Sequence, residues 1–343
     1  MLEFGSDFHY CTDIDLSIEN KLSQINARFF ANGRQALQAI IRYNSWKRIW
    51  IPEYFCYEII EILRKDRISI ELYPDAPTFD DVSIISNISF KEGDVLLRMN
   101  FFGLRTWRDN SGIPVAVIED HSHDLVGNWS TNSNADWIIA SLRKTLPIPE
   151  GGILWSPKNL ELPSHLLSSI QNDELTYKRL SAMLLKRLYL KDQSVPKEIY
   201  RQMFIETEES FSTLELSSIS SDSFLLFQHF DIDEWYSKKN KNWSQLTEIE
   251  RNNICILEPE NITRCNPFSM IIQFRNKLER DLIYRRLIEN EIYSAILWKV
   301  PDNSTPKVKN MSDTLISVHC DARYNESDIE FLKCELIKLI KLI

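Results

Sequence analysis

The chain has 343 residues, too many for one small core, so one large and one smaller domain are expected. Hydrophobic residues make up 43% and charged residues 26%, an ordinary balance for a soluble globular protein. A net charge of −9 argues against nucleic acid as the main partner.

No apolar run approaches the roughly 18 residues of a membrane span, so no membrane partner is expected. The N-terminal stretch from Met1 to Asp7 lacks the basic and apolar regions of a signal peptide. Cys11, Cys56, Cys255, Cys265, Cys320 and Cys334 show neither metal-knuckle nor redox spacing. They are read as reduced thiols of a cytoplasmic protein.

Along the chain, residues 16–30 are amphipathic and are expected to be helical. Residues 32–41 read as a turn opening a helix, with Asn32 as its cap. Arg48–Pro52 is a short apolar strand, residues 57–64 have helical spacing, and residues 68–73 form a strand. Further strands are expected at 94–100, 115–120, Trp137–Ser141 and Gly152–Trp155. All eight glycines fall at or before Gly152, so the tight backbone work lies in the first half.

Short apolar strands alternating with helical segments indicate a largely parallel or mixed α/β sheet. Ligands of such sheets bind at the carboxyl ends of strands, where Asn100, Asp120 and Ser141 fall. In the second half, residues 175–190 and 224–254 are expected to be helical, with a hydroxyl-rich loop at 217–223. A strand at Met270–Phe274, a helix at 277–290, a strand at Leu315–Val318 and a last helix at 327–342 complete the chain. The expected division is a large domain over 1–250 and a smaller αβ domain over 251–343.

The most telling stretch is Val117-Ile118-Glu119-Asp120-His121-Ser122-His123, an apolar run that ends in a carboxylate. Downstream, Lys144 stands just ahead of Pro147-Ile148-Pro149-Glu150-Gly151-Gly152. A carboxylate at a strand end and a lysine in a nearby loop are what a pyridoxal phosphate site needs. The acid keeps the pyridine nitrogen protonated and the lysine carries the aldehyde as a Schiff base. A metal site built from Asp120, His121 and His123 is disfavoured, because adjacent strand residues point to opposite faces.

The ordered set of motifs resembles the DegT/DnrJ/EryC group of nucleotide-sugar aminotransferases, which have the fold of type I pyridoxal phosphate enzymes. Asn32-Gly33-Arg34-Gln35-Ala36-Leu37 resembles the family's Gly-Thr-x-Ala-Leu phosphate turn. Ile51-Pro52-Glu53-Tyr54-Phe55-Cys56 resembles its Pro-x-Tyr/Phe-Thr-Phe segment. Ile118-Glu119-Asp120-His121-Ser122-His123 resembles Ile-Glu-Asp-Ala-Ala-Gln/His, and Lys144 through Gly152 resembles the catalytic lysine followed by Gly-Glu-Gly-Gly. Weaker similarity continues at Ile296-Leu297-Trp298 and at Ile316 through Tyr324.

The resemblance implies a mainly parallel mixed sheet flanked by helices, a smaller αβ C-terminal domain, a homodimer and pyridoxal 5′-phosphate as cofactor. It makes Lys144 and Asp120 the catalytic pair. Gly33, Arg34 and Ser141 would hold the phosphate, Phe55 (or Tyr54) would stack on the ring, and His123 would bond the phenolic oxygen. Asn100 would lie near the ring edge. The implied reaction moves an amino group from an amino acid, glutamate in the family pattern, to a keto group on a nucleotide-linked sugar.

The alternatives are a fold type I enzyme acting on a non-sugar substrate, or a non-catalytic protein that keeps the fold. The pair Asp120 and Lys144 argues against the latter. One departure stands out. In the family a partner-subunit loop with Gly, Asn and Arg reaches the phosphate, and residues 217–223 here contain none of the three.

Overall fold

The computed structural model describes residues 3–11, 15–251 and 253–343. Met1 and Leu2 of the N-terminal reading, and residue 252 of the expected helix at 224–254, lie outside the described residues.

Seven strands form the main sheet, in the order Ala27–Phe30, Gly152–Trp155, Trp137–Ser141, Ala116–Asp120, Asp94–Met99, Arg48–Pro52, Ser69–Tyr73. All neighbours are parallel except those of Gly152–Trp155, which runs against both of its partners. The central strands read as near-continuous apolar runs because both faces are covered, and all six residues of Asp94–Met99 are buried. The register sets Met99 opposite Asp120 and Asp120 opposite Ile139, so neighbouring strand ends meet at one edge.

Gly33–Tyr43 is helical because Asn32 caps it: the Asn32 side chain accepts from the Gln35 N–H at 3.0 Å. Its buried face, Ala36, Leu37, Ile40 and Ile41, joins the sheet core. A separate antiparallel sheet, Leu315–Val318, Met270–Phe274 and Ile254–Ile256, belongs to the C-terminal part. Its core takes in Phe4, Trp243 and Leu246 from the preceding chain.

The expected helix over residues 16–30 does not form. Asn20 caps a 3-10 turn at Lys21–Ser23, and Ala27–Phe30 adds to the sheet as its edge strand. Phe30 enters the sheet core while Phe29 packs on Phe224 and Phe227, so both faces of that strand find partners. The segment 224–254 is likewise not one helix. It divides into the end of Ser221–Gln228, then Ile232–Leu246 capped by Asp231, and ends where Ile254–Ile256 begins. Helix Lys197–Thr213, which packs on Ile170–Asp192, had no counterpart in the sequence reading.

Candidate active site

Asp120 ends the strand Ala116–Asp120 and Ser141 ends Trp137–Ser141. Ser122 ties them together. Its N–H donates to Asp120 Oδ1 at 2.8 Å, and its Oγ accepts from the Ser141 N–H at 2.8 Å. Both serines and Asp120 are buried. After Ser141 the chain makes a 3-10 turn, Leu142–Lys144, and Lys144 faces the same space as Asp120 and Ser141.

Gly33 begins its helix directly against Ser141, where a Cβ on Gly33 would lie 3.0 Å from the Ser141 Cβ and N. A Cβ on Gly152 would lie 2.3 Å from the Asn32 carbonyl atoms, so the Gly-Gly turn lets the reversed strand seat against the helix start. The Gly151 N–H donates to the Ala31 carbonyl at 2.8 Å and locks the same junction.

These elements enclose a cavity of about 440 Å³, lined among others by Asn32, Gly33, Arg34, Asp120, Ser122, Ser141, Lys144 and Trp298. The volume suits a small-molecule ligand. Five of the expected site residues, Gly33, Arg34, Asp120, Ser141 and Lys144, therefore converge on one space.

The Lys144 ammonium sits 5.2 Å from the centroid of the Trp298 ring and has no hydrogen-bond or ion-pair partner among the described residues. Asn32 Nδ2 is buried at the cavity wall and unpaired. Arg34 donates to the Phe211 carbonyl, and Arg143 pairs with Glu208 at 2.6 Å. Phe211 and Glu208 belong to helix Lys197–Thr213, which covers that end of the cavity.

Phe55 and His123 do not line the cavity; both stand behind Trp298. Phe55 is buried 6.1 Å from the Trp298 ring, since the turn after Pro52 sends it into the sheet core. Tyr54 is also buried, and its hydroxyl donates to the Leu297 carbonyl. The cavity's aromatic wall is Trp298, a role the sequence reading had not given it.

His123 is sandwiched between Phe102 at 5.3 Å and Trp298 at 5.4 Å, with rings nearly parallel to both. Burial, reinforced by the Lys144 charge, pushes its imidazole well below the usual histidine range. Its Nδ1 accepts from the Phe102 N–H at 3.0 Å, so the proton of the neutral ring is on Nε2, which has no partner.

Asn100 is buried outside the cavity and accepts from the Arg105 N–H at 3.4 Å. His121 turns away from the cavity and pairs with Glu119 at 3.0 Å. No metal-ligating cluster occurs among the described residues.

Of the expected loop at 217–223, only residues 217–220 are irregular; Ser220 caps the helix Ser221–Gln228, which takes up the rest. Ser217 donates its N–H to Gln35 Oε1 at 3.0 Å, and Ser220 donates its N–H to Glu150 Oε1 at 2.7 Å. Ser217, Ser220 and Ser223 are buried. The loop braces the Glu150-Gly151-Gly152 turn from behind.

No protein-family model matches the chain, and no curated protein matches its sequence. Solved structures do match over nearly its whole length. The PLP form of Spr1654 from Streptococcus pneumoniae superposes with a TM-score of 0.70 at 12% identity, covering 99% of both chains. Helicobacter pylori PseC, an aminotransferase of pseudoaminic acid biosynthesis, gives a TM-score of 0.64 at 12% identity, covering 99% of this chain and 100% of its own. DesI, solved with its TDP-sugar product, gives 0.64 at 12% identity, covering 92% and 80%. At this identity the likeness speaks for the architecture: the chain has the fold of type I pyridoxal phosphate enzymes, as found in these aminotransferases.

Proposed function

We propose that the protein is a pyridoxal phosphate-dependent aminotransferase that moves an amino group from an amino acid, glutamate in the simplest case, to a keto group on a nucleotide-linked sugar. The observation that carries this reading is the convergence of an unpaired lysine and a strand-end carboxylate on one cavity at a helix N-terminus. The solved neighbours support the substrate class, since DesI was solved with a TDP-sugar product and PseC serves pseudoaminic acid biosynthesis.

The residues fit the cofactor. The Gly33 and Arg34 N–H groups open a helix and face the cavity with buried Ser141 and the unpaired Asn32 amide, a seat for a phosphate. Asp120, anchored by the Ser122 N–H, would hold the proton of the pyridine nitrogen. When bound, the cofactor supplies an electron sink for proton loss at the substrate carbon next to its amine. Lys144 Nζ, free of competing carboxylates, would be the group that takes up and gives back that proton. Trp298 walls the cavity on the side of Lys144.

The proposal takes residues 1–250 as the cofactor-binding part and 251–343, which supplies Trp298, as the smaller part. It also takes the protein as a cytoplasmic homodimer. No helix among the described residues is long and apolar enough to cross a membrane.

The test is single-turnover amination of the cofactor. Added glutamate should convert the bound cofactor to its amine form with release of 2-oxoglutarate, and a nucleotide-linked keto sugar should reverse the change. Retention of the aldehyde form with every amino acid tried would sink the transferase reading.

A further inference from the structure

Arg34 and Arg143 line the cavity near the helix start, and Arg179 joins them through Glu208. Arg143 Nη2 lies 2.6 Å from Glu208 Oε1, and Arg179 Nη1 lies 3.3 Å from Glu208 Oε2. Arg179 also pairs with Asp7 at 2.6 Å. Arg34 has no carboxylate within ion-pair reach among the described residues, and its guanidinium donates to the Phe211 carbonyl. The Arg143 guanidinium lies 5.9 Å from the centroid of the Phe211 ring.

The charge is therefore unevenly matched. Burial pushes the Glu208 carboxyl up, but Arg143, Arg179 and Arg34 outweigh it and hold the group at about 2, fully ionised. Asp7, the partner of Arg179, also lies near Arg143, whereas Glu150 is pushed up by burial to about 8 and carries a proton at neutral pH. Glu58, which Arg34 also senses, is exposed at the rim. Three guanidinium groups thus face two paired carboxylates, Glu208 and Asp7, and Arg34 is the one left without an ion-pair partner among the described residues, beside the helix start. There, the buried Asn32 Nδ2 is a donor without an acceptor.

A doubly charged phosphate would supply what is missing. We infer that Arg34 and Arg143 of the same chain bind the phosphate monoester of the cofactor, with Glu208 and the Phe211 carbonyl holding the two guanidinium groups at the cavity until it arrives. This inference rests on the cofactor reading above and goes beyond it. Ser217 and Ser220 are buried against Gln35 and Glu150 of the same chain and are not free to carry the phosphate contact. The cationic part of the seat is built within one chain. Arginine suits this task because its planar fork meets phosphate oxygens in pairs and keeps its charge.

The experiment compares pyridoxal 5′-phosphate with pyridoxal, which has the same aldehyde and no phosphate, by titrating their visible absorption on the wild type, Arg143→Gln and Arg34→Gln. Both substitutions leave the backbone N–H groups in place, so the comparison isolates the guanidinium. The expected result is an affinity for pyridoxal 5′-phosphate about tenfold or more weaker in each variant, with pyridoxal binding nearly unchanged. Inorganic phosphate should compete with pyridoxal 5′-phosphate less well in the variants than in the wild type.

Arg143→Lys and Arg34→Lys keep the charge and should recover part of the loss. If a glutamine variant binds neither compound, its lysine partner decides: partial recovery of phosphate-dependent binding supports the assignment, and none overturns it. Glutamine variants that bind pyridoxal 5′-phosphate as the wild type does also overturn it and leave the cofactor reading standing. A wild type that binds neither compound removes the cofactor reading itself.

Discussion

Lys144 and Trp298 meet across the cavity, with the ammonium 5.2 Å from the indole centroid, although 154 positions separate them in the sequence. Trp298 rests in turn on His123 and Phe102, a stack that extends from the cavity into the core. The contact gives the lysine a fixed station without a carboxylate, which would hold its proton and oppose its role as a base.

Replacing Trp298 by Ala should weaken cofactor retention. An aromatic contact of this kind contributes about 1 kcal/mol, so roughly a fivefold rise in the dissociation constant is expected. Trp298→Phe should retain most of the affinity. Absorption titration of the three proteins checks this, and equal affinity for Trp298→Ala and wild type would refute it.

Asp120→Asn keeps the shape of the side chain and its bond from the Ser122 N–H, but an amide cannot balance a pyridinium charge. The cofactor should still reach Lys144, while amination slows by about 100-fold, the worth of a charge pair that moves a neighbouring proton affinity by a couple of units. Single-turnover rates with glutamate give the comparison. An unaltered rate would exclude the pyridinium role.

Gly152→Ala forces a Cβ to 2.3 Å from the Asn32 carbonyl, a backbone group with nowhere to move without disturbing the helix start. A loss of about 1–3 kcal/mol is expected, together with weaker phosphate binding. Gly112→Ala, where a Cβ meets open space, is the control and should leave both properties unchanged. Thermal melts and the cofactor titration report the two effects.

Glu150 links stability to pH. Burial raises its carboxyl from 4.5 to about 8, so between these values the folded chain keeps a proton that the unfolded chain has released. Stability contributed by this group must fall as pH rises through that window, and the deficit is complete above it. Glu150→Gln keeps an oxygen for the Ser220 N–H and carries no charge. Its melting temperature should therefore gain on the wild type from about pH 5 to about pH 8. Parallel pH dependences for the two proteins would contradict the assignment.

The sequence made the strand-end chemistry legible because it is local. Asp120 and Ser141 close apolar runs, Gly33 follows a capping asparagine, and Lys144 precedes a Gly-Gly turn, so each announces its place within a few residues. What it hid was set by contacts far along the chain. The stretch 16–30 reads as amphipathic, and only the pairing of Ala27–Phe30 with Gly152–Trp155 makes its end extended. The resemblance offers Phe55 or Tyr54 as the aromatic plate, but the fold buries both and brings Trp298 to the cavity instead. Glu208 and Phe211 reach the site on a helix whose own sequence carries no site motif.

The most direct test of the central claim is the visible absorption spectrum of the purified protein supplied with pyridoxal 5′-phosphate, for wild type and Lys144→Ala, before and after borohydride. The account predicts a visible band in the wild type that borohydride removes while fixing the cofactor to a peptide containing Lys144, and neither band nor fixation in Lys144→Ala. A wild-type protein that takes up no cofactor, or one that fixes it equally well without Lys144, would contradict it.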